Sequence, residues 1–345
     1  MKKTLFLVIA TMVMGTLFAQ NEMAILNHNG NLQAFYGTSA LNVAIDSAVA
    51  GDVITVSSGT FPIYSIKSGI TVNGNGFEED LVAGGIMPTI LTYAGSGYST
   101  YIAINDSAVV SGLKFNHQTR VFGSNVQISK CYFYDLVNGG SDHTTLVNCF
   151  FDRLSNCGSD WVITNSIVAI FASGGTRLQV HNSLVYTNTW YSITNGSYGT
   201  FYNSVIMVNT GNLAQTGCYN CVGINTSGNT PDLFTGAINH LQFQNMSQTQ
   251  QDSVLAVADQ SHGNYNASNY AEVFKTFRAD YYTERLDFSL TTAFDTLMTD
   301  LGVYKGMMPY TPFVNRPRYV RTNAASRTTL DGKLSVDIEV VTAEE

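Results

Sequence analysis

The sequence predicts an all-β chain built as a single-stack parallel β-solenoid, with an N-terminal capping helix and an irregular C-terminal region. Three observations predict it. A six-residue signature recurs at near-constant spacing between residues 110 and 223. Apolar and polar residues alternate within each copy. Asn, Ser, Thr, Gly and Tyr supply the polar surface, because charged residues make up only 12% of the chain, about half the usual share.

The signature reads apolar, any, Asn-like, Cys- or Ser-like, any, apolar. Its copies occupy 110–115, 128–133, 146–151, 163–168, 180–185, 201–206 and 218–223. The fourth positions are Leu113, Cys131, Cys149, Ser166, Ser183, Ser204 and Cys221, with spacings of 18, 18, 17, 17, 21 and 17. The end copies are weaker, because Gly112 and Lys130 replace Asn and Gly223 replaces the last apolar residue. Alternation of this kind is the mark of a strand. The period is too short for a pair of helices and matches one solenoid coil. Stacking coils places equivalent residues about 4.8 Å apart, as in neighbouring strands of a sheet. The third position then forms a ladder of Asn148, Asn165, Asn182, Asn203 and Asn220. Stacked Asn amides bond to one another and to the turn backbone, whose unusual dihedrals Asn tolerates. The fourth position is an inward column of small groups. The sixth is a core column of Phe115, Phe133, Phe151, Val168, Val185 and Ile206.

This arrangement gives a reading of the five cysteines. Paired as disulfides they would leave one thiol over. As column members, Cys131 above Cys149, they serve as small buried residues; a disulfide between adjacent coils is the alternative. Cys157 lies outside the columns and is assigned to a turn or loop. Zinc is not supported, since Cys218 and Cys221 form one pair without a second, and strand periodicity explains their spacing.

The chain opens Met1-Lys2-Lys3, followed by an apolar run that ends in Leu17-Phe18-Ala19. A short basic region, an apolar stretch and a small residue describe an export signal over 1–19, cleaved before Gln20. The alternative is a membrane anchor, for which the run is short. No cysteine follows the site, so a lipid-anchored form is not expected. The protein is therefore expected to be exported, to an extracellular, cell-surface or periplasmic location. No later segment is apolar enough for a membrane span. The formal charge is −8, and loss of Lys2 and Lys3 leaves 15 basic residues against 25 acidic, a net of −10. Such a chain has no electrostatic reason to hold nucleic acid or an anionic membrane.

Leu41, Ile45, Ala48 and Val49 fall on one face of a short helix, with Thr38 or Ser39 as its cap. "GDVITVSSGTF" at 51–61 and "ITVNGNG" at 70–76 follow. Together these resemble the opening of pectin-lyase-like right-handed β-helix proteins, whose N-terminal helix plugs the first coil. The resemblance spans roughly residues 38–230. It implies the right-handed form; the repeating apolar-Gly hexads of left-handed hexapeptide helices are absent. "NTPDLF" at 229–234 and the segment 286–310 resemble closing segments of similar secreted proteins, in which the chain returns along the solenoid and finishes its last coils. Residues 240–285, rich in Gln, Asn, Ser and Tyr, read as irregular. Alternation over 330–341 after Asp331-Gly332 reads as a strand, half of a hairpin. The expected organisation is a signal peptide at 1–19, cap and coils at 20–230, and C-terminal coils, return segment and terminal strands at 231–345.

Function in a solenoid sits on columns. Four residues past the small-residue column lie His117, Asp135 and Arg153; six residues before it lie Asn125, His143, Asp160 and Arg177. Each triplet is predicted to place a carboxylate between His and Arg. Such a cluster serves general acid/base work on a glycan, or is a solvated ion-pair ladder worth little by itself. Asp142 adjoins His143. Trp161 adjoins Asp160 and either stacks on a sugar ring or belongs to the core. Calcium-dependent pectate lyases gather several carboxylates on adjacent coils. Here each column holds one Asp, so no cofactor is expected, and Ca²⁺ enters only with a lyase activity. "SDHTTL" at 141–146 faintly resembles a lyase Asp-His motif without a partner acid column. "RPRYVR" at 316–321 faintly resembles a lyase Arg region but falls outside the repeat and is read as chance. The Asn-Thr-Asp, Asp-Asp, Gly-His-Gly and Arg-Ile-Lys signatures of polygalacturonase-like hydrolases are missing.

An outward column is unusually apolar: Lys114, Tyr132, Phe150, Ile167, Leu184, Val205 and Val222. Its length calls for a cover, either the chain's own segment 235–310 or a partner protein or glycan. The expected role is a secreted or surface-associated scaffold, without catalysis, that binds a polysaccharide or a surface protein. Trp161, Asp135, Arg153, His117, Tyr132 and Phe150 are the candidate ligand contacts. The rival is a polysaccharide lyase or glycoside hydrolase using Asp160, His143, Arg177 and Asp142. A third possibility is an adhesive structural protein with no small ligand. Carboxylates clustered within about 5 to 10 Å would favour catalysis; a flat polar and aromatic face would favour binding.

Overall fold

A computed structural model describes residues 22–79, 87–96, 100–171, 177–187, 199–208, 217–225, 264–267, 270–276 and 287–311, together with the strands Arg318–Ala324 and Val336–Val341. The export signal at 1–19 and "NTPDLF" lie outside them. Within these residues the chain is a parallel β-solenoid, as the repeat predicts.

Two long sheets run the length of the stack. The open sheet begins with the antiparallel pair Asn31–Tyr36 and Met23–His28. It continues through Val53–Val56, Thr71–Asn73, Val109–Ser111, Gln127–Ser129, Thr145–Val147, Val162–Thr164, Gln179–His181, Thr200–Tyr202 and Gly217–Tyr219. From Val53–Val56 onward neighbours are parallel and in register, so Ile54, Val72, Val110, Ile128, Leu146, Ile163, Val180, Phe201 and Cys218 form one inward column. The covered sheet runs from Gly59–Ile63 through Thr89–Tyr93, Lys114–Ser124, Tyr132–Asp142, Phe150–Phe151, Ile167–Val168, Leu184–Thr187 and Val205–Val208 to Val222–Asn225. Tyr265–Ala267 then adds a further parallel strand, inside the stretch read as irregular. Lys114–Ser124 and Tyr132–Asp142 bend round the coil and pair again on a third flank, with Ile102–Ile104 and Leu154–Ser155.

Two corners explain the repeat. Asn148, Asn165, Asn182, Asn203 and Asn220 all have left-handed backbones, with φ between 46° and 55°, and Lys130 and Gly112 occupy the same corner in earlier coils. Most L-residues lose about 1–2 kcal/mol in this conformation, Asn and Gly much less. The ladder marks the bend between the two sheets. A second left-handed corner holds Ser107, Asn125, His143, Asp160 and Arg177.

The fourth column is small for steric reasons and polar for a hydrogen-bonding one. Ser166, Ser183 and Ser204 each accept the backbone N–H of the preceding coil's column member at 3.1 Å. Each hydroxyl donates to the carbonyl two residues back. Cys131, Cys149 and Cys221 donate their thiols in the same way, at 3.2 to 3.3 Å. Corner N–H groups that would be buried without a partner are thereby satisfied. All five cysteines are free and buried, Cys157 included. In the sixth column Phe115, Phe133 and Phe151 stack at 4.6 and 5.5 Å.

Helix α1, Ala40–Ser47, closes the first coil with Ala40, Leu41, Ala44 and Ile45 buried. Ser39 stands at the N-cap position but its side chain makes no capping bond. The helix stops at Ser47, so Val49 leaves its apolar face and is 54% exposed.

The apolar outward column is covered by the chain itself. Tyr132, Phe150, Ile167, Leu184, Val205 and Val222 form a second core with Val273, Phe274, Phe288, Leu290, Phe294, Met298, Leu301 and Val303. These come from α2, Tyr270–Val273, from α3, Thr292–Leu297, and from the segments beside them. The segment 287–311 runs back along the Asn corner. Gly302 donates its backbone N–H to Asn203, Asn182 reaches Asp300 and Gly302, Asn165 reaches Val303 and Lys305, and Asn148 receives the N–H of Thr311. Of the stacked amide pairs, Asn220 and Asn203 bond directly, at 2.7 Å. Phe150 is fully buried and Tyr132 nearly so, which corrects their reading as ligand contacts; Lys114 lies over the Tyr132 ring. Arg318–Ala324 and Val336–Val341 pair as an antiparallel hairpin, and Arg318 to Arg321 of the "RPRYVR" stretch lie on its first strand.

Candidate functional site

Equal steps of the second corner bring His143, Asp160 and Arg177 together. Their backbones have φ of 54°, 55° and 57°, so the side chains leave successive coils in parallel. Arg177 grips the Asp160 carboxylate with Nε, at 2.5 Å, and Nη2. His143 Nε2 stands 3.6 Å from Oδ2, beyond hydrogen-bond range. The side chains of His143, Asp160 and Arg177 are 62%, 25% and 56% exposed. Hydrogen bonds from Arg177 hold the Asp160 carboxyl below the usual carboxylate range, with the charges of Arg177 and His143 adding to the effect. Asp160 in turn raises the Arg177 guanidinium. A carboxylate kept ionised by a forked guanidinium is poorly suited to donate a proton, which a general acid must do.

Asp142 has a local task. It accepts the backbone N–H of Ser159 at 3.1 Å, as Asp106 accepts that of Ser124 at 2.6 Å. Both aspartates tie their corner to the next coil.

The other triplet does not assemble. A register shift between Phe115 and Gln118 places Gln118, rather than His117, opposite Asp135. Gln118 Nε2 donates to Asp135 Oδ2 at 2.8 Å. His117 bonds to Thr100 at 2.9 Å and stacks on Tyr93. Arg153 donates to Ser155. Arg120, not singled out from the sequence, lies over the Tyr101 ring. Asp135 Oδ1 and Arg120 Nε are buried without a hydrogen-bond partner among the described residues. Trp161 is fully buried and donates Nε1–H to the Ser141 carbonyl at 3.2 Å, which leaves no ring face for a sugar.

Sequence reasoning passed over the outer surface of the open sheet. Its outward positions from Val109–Ser111 to Gly217–Tyr219 are Val, Ser, Gln, Thr, His, Tyr and Gly, without an Asp, Glu, Lys or Arg. Ser129 donates to Ser111 at 3.1 Å. At the far end His181, Tyr202 and Tyr219 stack at 4.6 and 5.0 Å, within 8° and 11° of parallel. Burial lowers the His181 pKa and raises that of Tyr202. The Tyr219 phenol is pushed up to about 12, by burial first and then by Tyr202 and Cys218. At neutral pH the stack is uncharged. Its signal was the second position of the repeat, which reads Ser111, Ser129, Val147, Thr164, His181, Tyr202, Tyr219 down the coils.

Among the described residues no helix is long and apolar enough to cross a membrane, and no group of three or more His, Cys, Asp or Glu is arranged to hold a metal ion. No protein-family model, curated protein or solved structure matches the chain.

Proposed function

We propose that this protein is an exported, non-catalytic β-solenoid scaffold that holds a neutral polysaccharide along its open sheet. The observation that carries this is the uncharged outer surface ending in the His181–Tyr202–Tyr219 stack. Parallel strands repeat hydroxyl and amide groups about every 4.8 Å. Aromatic rings add apolar contact for the C–H faces of a sugar, and a neutral chain meets no unpaired charge there. Kinship with pectin-lyase-like right-handed β-helix proteins belongs to the same proposal. It is supported by α1 closing the first coil and by 51–61 crossing from the open sheet to the covered one.

The test incubates the protein with neutral and acidic polysaccharides, with and without Ca²⁺, and follows glycan and protein by size-exclusion chromatography. The expected result is intact neutral glycan co-eluting with protein, lost in Tyr202→Ala. Shortened glycan whose production stops in Asp160→Ala would replace this reading with a lyase or hydrolase at the His143–Asp160–Arg177 corner. No glycan bound or cut would move the assignment to a surface-protein partner or an adhesive role.

A further inference from the structure

The return segment and Lys275 line a half-open pocket of about 210 Å³ whose polar side chains are Lys275, Ser289, Asp295, Tyr304 and Lys305. Eight lysines occur in the whole chain, and two of them meet here in a protein of net charge −8. Lys305 Nζ is paired with Asp295 Oδ1 at 2.8 Å, which uses one of its three donors. Lys275 has no ion pair among the described residues, and its charge, after that of Lys305, helps hold the Asp295 carboxyl below the usual carboxylate range. The Tyr304 hydroxyl accepts the Phe288 N–H at 3.4 Å, leaving its own proton to donate. The Ser289 hydroxyl has no partner among the described residues, its backbone N–H being bonded to Asp287. The lining therefore offers donors from four side chains and one carboxylate, while Asp287 and Glu78 lie outside the lining but near enough to act on the Tyr304 phenol. Donors in that excess, two of them cationic, match a group with several acceptor oxygens and a negative charge.

We propose that this pocket binds a small oxyanion, the carboxylate or phosphate group of a free anion or of a sugar acid. Lys275 and Lys305 supply the charge, Tyr304 and Ser289 supply directional hydrogen bonds, and Asp295 orients Lys305. The site is built from the strap that crosses the Asn corner: Asn182 bonds the Gly302 carbonyl and Asn165 those of Val303 and Lys305. A ligand held there is present only when the strap is docked, so binding stabilises the docked form by mass action.

The experiment titrates inorganic phosphate, sulfate and gluconate into the intact protein by calorimetry at fixed ionic strength, with chloride as control. The expected result is saturable binding of one anion and a rise in Tm that chloride does not reproduce. Lys275→Gln and Lys305→Gln each weaken binding roughly tenfold or more, Asp295→Asn strengthens it, and circular dichroism confirms that the variants fold. Phosphate bound more tightly than gluconate identifies a free anion, and the reverse order a sugar acid. Absence of saturable heat with all three anions, or unchanged affinity in both folded lysine variants, overturns the proposal. Tyr202→Ala leaves the anion titration unchanged, so this outcome is separate from that of the open sheet.

Discussion

Asn165 and Val303 lie 138 positions apart, and the Asn165 amide donates to the Val303 carbonyl at 2.8 Å. The same nitrogen reaches the Lys305 carbonyl at 2.5 Å. Asn165 is fully buried and its φ is 46°. The residue thus does two jobs: it permits the corner and it anchors the return segment that seals the second core.

The two jobs separate by mutation. Asn165→Gly keeps the corner but takes the side-chain donor from the Lys305 carbonyl and one of two donors from the Val303 carbonyl, which still accepts the Tyr310 N–H, at a cost of about 1 kcal/mol. Asn165→Ala loses both and is expected to be less stable again by about 1–2 kcal/mol. Guanidinium unfolding measures the order, and limited trypsin digestion should cut sooner after Lys305 in both variants. Equal stability of the Ala variant and the parent would refute the anchoring role.

Ser183 tests the small-residue column. Its hydroxyl accepts the Ser166 N–H at 3.1 Å and donates to the His181 carbonyl at 2.7 Å. Ser183→Ala preserves size and removes both bonds, so stability should fall by about 1–3 kcal/mol. Ser183→Cys keeps a donor and an acceptor, as Cys149 does two coils earlier, and should lose less. If thermal melts place the Ala and Cys variants together, size alone governs the column.

The column logic explains what was legible in the sequence. Seven copies with near-equal steps fix the strands, the inward residues and the Asn corner, because one residue's environment repeats in every coil. The apolar outward column required a cover, and its own C-terminal segment supplies it. The shift between Phe115 and Gln118 was hidden, since the 18-residue step from Leu113 to Cys131 is unchanged by a local bulge. His117 and Asp135 therefore share a column in the sequence and not in space. Asn125, His143 and Asp160 are of types enriched in left-handed corners and so carried a weak signal, whereas the conformation of Arg177 could be read only from its spacing. The N-terminal hairpin carried a readable signal that went unused: Asn29-Gly30, both with positive φ, joins two strand-like runs in the manner of a two-residue turn.

The Asp160–Arg177 pair predicts a modest, pH-limited effect. Arg177 lowers the folded-state pKa of Asp160. The pair thus contributes stability above the ordinary carboxylate value of about 3.9 and loses it as pH falls through the lower folded value. Asn tolerates the corner, so Asp160→Asn isolates the charge. The variant should be destabilised by at most about 1 kcal/mol near neutral pH, and the gap should close in acid. A gap that persists or widens in urea titrations at low pH would mean that the carboxylate is held by something other than Arg177.

The thiols give the sharpest check on the stack. Burial pushes Cys149 up to about 12 and raises Cys131, Cys157 and Cys218 as well. The thiolate is the reactive form, so these four should resist a disulfide reagent in the native protein at mildly alkaline pH. Cys131 and Cys149 are neighbours on adjacent coils, yet each thiol donates to its own strand's carbonyl, Ser129 or Val147. Oxidation would remove both thiol donors and leave each carbonyl with only the backbone N–H of Gly112 or Lys130. The intact protein, unfolded in guanidinium without reductant, should therefore titrate all five cysteines. Three would indicate a disulfide between coils, and a fast native reaction at Cys149 would mean that the sixth-column aromatics do not seal it.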